Sequence, residues 1–211
     1  MRITIFGATG KSGQILTRKA LKKGYHVVVF ARNPDKLKIQ HENLTVIKGD
    51  LNDKSRINHA IFGSDAVISL LGPKGASKGL PISKGTQVIV ESMEQLKVKR
   101  LIATATPSAT DSNDKRDFRF KFAVFMIKSL IKTAYLDIVE TSNIIRQSNL
   151  DWTIVRLPVL TNKTQKNKVR AGFIGKESIN LFFLNRSDLA DFLLEQLTDQ
   201  TFIKKAPAIS N

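Results

Sequence analysis

The residues best placed to do chemistry stand near the start of the chain, in the stretch Gly7-Ala8-Thr9-Gly10-Lys11-Ser12-Gly13. They follow the apolar run Ile3-Thr4-Ile5-Phe6 and precede a stretch with helical spacing. A buried strand that turns through glycines into a helix makes an anion site. Gly7 permits the tight turn, Gly10 lets backbone approach a pyrophosphate, and Gly13 lets helix and strand pack closely. The helix start then offers free amides to phosphate oxygens, with Thr9, Lys11 and Ser12 beside them. Gly10-Lys11-Ser12 also imitates the end of a P-loop, but that motif needs a glycine five positions earlier, where Ile5 stands. Strand, turn and helix together point to a dinucleotide. A purely structural turn could use the same glycines, so the ends of the other strands have to support the choice.

An NAD-selective site needs a carboxylate at the end of the second strand, roughly 20 residues past the glycine loop, to hold the ribose 2′-hydroxyl. Here that segment reads Val27-Val-Val-Phe-Ala-Arg32-Asn33, with no acid before Asp35. A guanidinium stands where a 2′-phosphate would arrive, and arginine pairs with phosphate through a planar fork. Lys11 adds a second positive charge. NADP(H) is therefore expected in preference to NAD(H). After the third strand, Gly49-Asp50-Leu51 puts a carboxylate where an adenine amino group could donate, although Gly-Asp also reads as a turn into a helix. Leu71-Gly72-Pro73, after the fourth, brings a kink near the nicotinamide half.

The elements that must position these residues are legible from periodicity. Apolar, β-branched runs recur at Ile3–Phe6, Val27–Phe30, Leu44–Ile47, Ala66–Leu71, Leu101–Ala103 and Thr153–Leu157. Such continuous runs suit strands covered on both faces, hence parallel ones. Helical patterns lie between them. The first spans about Ser12 to Lys23 and stops at Gly24; a second carries Ile89, Met93 and Leu96. A third, ending near Asn149, carries Ile138 and Ile145. The last carries Leu189, Phe192, Leu193 and Leu197, with Ser187 as its expected N-cap. Alternation in this order predicts an α/β fold: a doubly wound parallel sheet, or Rossmann fold, forming a single domain over 1–211 with a small C-terminal substrate-side region.

The 211 residues contain no cysteine, which removes thiolate nucleophiles, disulfides and zinc–thiolate sites. His26, His41 and His59 are scattered without metal-ligand spacing, so no metal site is expected. No apolar run is long enough to span a membrane, and Met1-Arg2-Ile3 leads straight into a strand rather than a signal peptide. A cytoplasmic protein is the expectation. Lys and Arg number 34 against 18 Asp and Glu, for a net charge of +16. Such a field would concentrate anionic ligands. The basic residues are spread along the chain without a recognisable nucleic-acid-binding motif, so a specific nucleic-acid partner is not expected.

These features resemble the atypical short-chain dehydrogenase/reductase family, in its small NAD(P)H-binding, NmrA-like and flavin-reductase-like branch. Likeness covers nearly the whole chain: Gly7–Gly13, Phe30-Ala-Arg-Asn-Pro34, Gly49-Asp-Leu51, Leu71-Gly72 and Thr104-Ala-Thr106. It continues through Glu140 and Ser148-Asn-Leu-Asp-Trp-Thr-Ile-Val-Arg-Leu-Pro158 to Ser187-Asp-Leu-Ala-Asp-Phe-Leu193. The resemblance implies a Rossmann fold and a dinucleotide in the positions above, with Pro158 and Val159 at its nicotinamide end. It also breaks at one place. Short-chain dehydrogenases use Tyr-x-x-x-Lys to move the substrate proton. Tyr25 and Tyr135 are followed four residues on by Val29 and Val139, and the family's Tyr and Lys places fall on Thr133 and Asp137. Carbonyl–alcohol chemistry by that pair is excluded. Direct hydride transfer to a flat conjugated acceptor, a flavin or a quinone, needs little acid help and remains open. The flavin-reductase-like branch has a serine near Thr106, which makes Thr106 the candidate catalytic hydroxyl. A second reading is a redox sensor in the NmrA-like manner, binding NADP(H) without turnover. Two segments, 107–130 and 160–185, are expected to cover the acceptor side. The first joins a polar stretch, Ser108–Asp117, to an aromatic and basic one with Phe118, Phe120, Phe122 and Phe125.

Overall fold

In the computed structural model, residues 1–73, 79–118, 128, 131–163, 165–166, 168–176, 179 and 183–211 are described. Six parallel strands carry the expected apolar runs: β1 (Arg2–Phe6), β2 (His26–Ala31), β3 (Leu44–Lys48), β4 (Ala66–Ser69), β5 (Arg100–Ala105) and β6 (Asp151–Arg156). Their spatial order is β3-β2-β1-β4-β5-β6, the doubly wound order in which connections reverse direction beside β1. Between them run α1 (Lys11–Lys22), α2 (Lys54–Ile61), α3 (Pro81–Gln95) and α4 (Lys132–Gln147), and α5 (Arg186–Glu195) follows β6.

Alternation along each strand explains why both faces had to be covered. Ile3, Ile5, Val27 and Val29 pack with Leu16 and Ala20 of α1 and Leu189 and Leu193 of α5. Their neighbours Phe6, Val28 and Phe30 turn to the opposite face, against Ile57 of α2, Ile89 and Met93 of α3 and Ile145 of α4. A strand buried on both sides takes a polar side chain only where it is hydrogen-bonded, as the Thr4 hydroxyl is to the Ala60 carbonyl at 2.7 Å. The apolar runs are therefore nearly continuous; β3, at the sheet edge, is less covered.

Four three-residue strands went unseen in the sequence: β7 (Val159–Thr161), β8 (Arg170–Gly172), β9 (Phe183–Asn185) and β10 (Ala208–Ser210). β10 extends the sheet beside β6, and β8 closes that edge antiparallel to β10. β7 and β9 form a separate parallel pair, Val159 opposite Phe183. Two boundaries also differ from expectation. The fourth strand stops at Ser69, before Leu71. The last helix begins at Arg186, because Asn185 is its N-cap: Asn185 Oδ1 accepts the Ser187 amide at 2.6 Å. Asparagine caps a helix as well as serine does, and here it stands two residues earlier.

Candidate functional site

The glycine turn has the geometry expected of it. Gly7 has φ +82°, and a Cβ there would lie 2.9 Å from the Leu70 carbonyl group. A Cβ on Gly13 would lie 2.3 Å from the Gly7 oxygen and 2.6 Å from Ala8 Cα, so α1 can leave β1 this tightly only without a side chain. Gly10 differs. Its φ is −75°, open to any residue, and its Cβ would meet only the Gly7 oxygen at 3.4 Å. Nothing within the fold demands a glycine at position 10. The free space lies where a ligand would come close.

Gly10 is also the N-cap of α1, with no side-chain cap and no acidic residue in the first turn. The amides of Lys11, Ser12 and Gly13 precede the first i→i−4 bond, from Gln14 to Gly10 at 2.9 Å, and are left for an anion.

Beside the turn lies a cleft of about 380 Å³ at the carboxyl ends of β1, β2 and β4. It gathers Gly7, Thr9, Gly10, Arg32, Asp50, Leu51, Leu71 and Gly72. Phe6 and Phe30 also line it, their ring centroids 5.3 Å apart. Phe30 explains Gly49: a Cβ there would sit 2.5 Å from the phenylalanine ring. Arg32 is exposed at the end of β2, and its guanidinium has no hydrogen-bond or ion-pair partner among the described residues. Asp50 is partly committed, since one carboxylate oxygen takes the Asn52 amide and side chain at 3.2 and 3.0 Å. It is therefore a turn residue whose second oxygen is left over.

A second cleft, of about 290 Å³, opens on the other side of the turn. Gly7, Gly10, Lys11, Ser12 and Gly13 line it, together with Leu160 of β7 and Arg186 of α5. Neither Leu160 nor Arg186 was singled out in the sequence. Pro158, Val159 and Thr106 line neither cleft. Val159 is 62% exposed on β7, while Leu160 beside it points to the turn side. Thr106 follows the last residue of β5 with its hydroxyl buried and without a hydrogen-bond partner among the described residues, a polar atom left over on the side where β5 and β6 end.

Asp137, at the family's lysine place, has a different job. It is 1% exposed, and its carboxylate accepts the Ile82 and Ser83 amides at 3.1 and 2.7 Å, capping α3. The departure from Tyr-x-x-x-Lys at this position thus has a structural counterpart.

The polar stretch Ser108–Asp117 is tied into the fold. Arg156, fully buried at the end of β6, forks onto Asp114 at 2.6 and 2.7 Å. Asp114 also takes the Ile174 amide at 3.0 Å, and Lys115 donates to the Ile174 carbonyl at 2.8 Å. Burial alone would raise the Asp111 pKa. The amides of Asn113 and Ala206, the Asn113 side chain and the Arg156 charge outweigh it and hold Asp111 below the usual carboxylate value. Burial depresses Arg146, whose guanidinium donates to the Thr110 carbonyl; Asp111 and Asp114 oppose that shift and the Arg156 charge adds to it. Phe118 is 84% exposed; Phe120, Phe122 and Phe125 lie outside the described residues. Among the described residues no acidic or histidine cluster could hold a metal ion, and no helix is long and apolar enough to cross a membrane.

Fold and cleft define the class, and comparison with known proteins agrees. A model of the NAD(P)H-binding family matches residues 7–200, and the chain belongs to that family. A probable pinoresinol-lariciresinol reductase of Arabidopsis thaliana is 23% identical over 99% of the chain and 67% of its own length. The chain spans between 26% and 70% of the length of the curated relatives it matches. Among solved structures, a short-chain dehydrogenase/reductase of Veillonella parvula in complex with NADP superposes with TM-score 0.82 at 21% identity, covering all of this chain and 94% of that one. ChuY, an anaerobillin reductase of Escherichia coli O157:H7, superposes with TM-score 0.76 at 18% identity, covering 100% and 97%. At those identities the likeness is one of fold. Membership makes this an NAD(P)H-binding protein.

Proposed function

We propose that the protein is an NADPH-dependent reductase of a flat conjugated acceptor, a flavin or a quinone. The observation that carries the cofactor half is a single cleft holding both an uncapped glycine turn and an Arg32 without a partner among the described residues, with no carboxylate at the end of β2. The residues fit the group. The α1 amides and Gly10 would face the pyrophosphate, Arg32 the 2′-phosphate, and the free oxygen of Asp50 the adenine. Bound NADPH supplies the hydride. The protein's part is to orient donor and acceptor and to keep water out.

The acceptor half rests on what the chain lacks at the proton-transfer positions. Thr133 and Asp137 cannot act as Tyr and Lys, and Asp137 is committed to α3. An acceptor that takes hydride into a delocalised ring system has no alkoxide to protonate. The Thr106 hydroxyl, buried and unpartnered, is then available to donate a hydrogen bond to such a ring. Segments 107–130 and 160–185 would cover the acceptor, and a cytoplasmic setting with a small-molecule acceptor follows from the same reading.

Replacing Arg32 with serine tests the cofactor assignment. NADPH binding should weaken by about 1.5–3 kcal/mol, the worth of a hydrogen bond to a charged group, while NADH binding stays nearly unchanged. Equal losses for both would remove Arg32 from the 2′-phosphate.

A further inference from the structure

We infer that Arg186 is a second phosphate-binding residue, closing on the cofactor pyrophosphate from the side opposite the Arg32 cleft. The inference rests on the dinucleotide reading of the glycine turn and adds a residue to it. Two helices, α1 and α5, pack on one face of the sheet and are tied together by Lys19 and Asp191 at 2.7 Å. Each begins with a cation, Lys11 and Arg186, and both residues line the same 290 Å³ cleft as Gly10 and Gly13. A positive side chain in the first turn of a helix works against the helix dipole, which favours anions there. Both cations line one cleft that no carboxylate lines, an arrangement an anion would relieve. In α5 the buried Asp188 also stands in the first turn, but it does not line the cleft.

The partners of Arg186 point the same way. The residue is half-buried, and its guanidinium donates to the neutral Asn162 Oδ1 at 2.7 Å in an exposed hydrogen bond, with no carboxylate partner among the described residues. Arginine carries five donors in a planar fork, so this single tether orients the group and leaves most of it free. Asp188, two residues on, accepts the Lys166 amide and the Asn211 side-chain amide, both at 3.0 Å. The segment from β7 to the start of α5 therefore acts on the cofactor phosphates through Asn162 and Arg186, a role separate from covering the acceptor.

Arg186 and Arg32 make opposite predictions about cofactor choice. A pyrophosphate is common to both dinucleotides and a 2′-phosphate is not. In titrations of the whole chain, Arg186→Gln should weaken NADPH and NADH by the same factor, about tenfold or more. Arg186→Lys keeps the charge but not the fork, so it should lose less, again equally for both; it also serves if glutamine disturbs the start of α5. Loss confined to NADPH would put Arg186 on the 2′-phosphate and overturn the inference. So would wild-type affinity for both cofactors, or a change seen only in the KM of the acceptor. If the unaltered protein binds neither dinucleotide, the cofactor reading itself fails, a result distinct from all of these.

Discussion

Gly10 and Gly13 stand three residues apart, and of the two the fold itself requires a glycine only at position 13. A side chain on Gly13 would collide with the backbone of Gly7 and Ala8, while a Cβ on Gly10 meets only the Gly7 oxygen, at 3.4 Å. Gly13→Ala should therefore cost about 1–3 kcal/mol of stability, the usual cost of overpacking. Gly10→Val should cost at most about 1 kcal/mol, since glycine is only a fair cap, and should abolish dinucleotide binding. Thermal unfolding and cofactor titration on the pair separate the two roles; NADPH binding by Gly10→Val at wild-type affinity would place the phosphates elsewhere. Spacing alone made these glycines legible, because sterics at a βα turn are local. Arg32 was legible as well, from the missing acid at the end of its strand. Arg186 was not, since its neighbour Lys11 is 175 positions earlier in the chain and meets it only once α1 and α5 pack together. The signal that was there is a cation at the first position of a helix.

At the level of elements, the long β5–α4 connection is held at one end by charge. Arg156 is fully buried, so removing its partner strands a guanidinium. Asp114→Ala should cost about 3–5 kcal/mol. Pairing Asp114→Ala with Arg156→Met should cost less than the single change, because it removes the stranded charge while losing the Ile174 bond equally. Urea unfolding of the two variants decides; equal losses would mean that the Ile174 bond, not the ion pair, carries the anchor. Asp111 adds an acid dependence. Its folded pKa lies below the ordinary value of about 3.9, so the folded state holds fewer protons than the unfolded state in that range. Its contribution is present above that value and is lost as pH falls through the folded pKa. Acid unfolding should begin as pH falls below about 4, and Asp111→Asn should flatten that part of the curve. The six long strands were read from their apolar runs with small errors at the ends. β7 to β10 were not, because three residues carry no periodicity, and their pairing is set by the strands beside them.

For the molecule as a whole, the doubly wound order explains why the named residues meet. Connections reverse beside β1, which leaves a crevice at the carboxyl ends of the strands, and Gly7, Arg32, Asp50 and Leu71 each follow the end of a different one. The net charge of +16 belongs to this scale too. Spread over the surface, it should attract anionic ligands and raise their association rates, an effect that salt screens. Binding to DNA or RNA should be weak at physiological salt and steeply salt-dependent; tight, sequence-selective binding there would favour a regulatory role. What distinguishes a reductase from a dinucleotide sensor is turnover. Anaerobic oxidation of NADPH, followed by its absorbance against a panel of free flavins and quinones, measures that directly. The expected result is stoichiometric NADPH consumption with at least one flat acceptor, faster than with NADH, and lost in Gly10→Val. Binding of NADPH without oxidation by any member of the panel would contradict the reductase and leave the dinucleotide as a ligand alone.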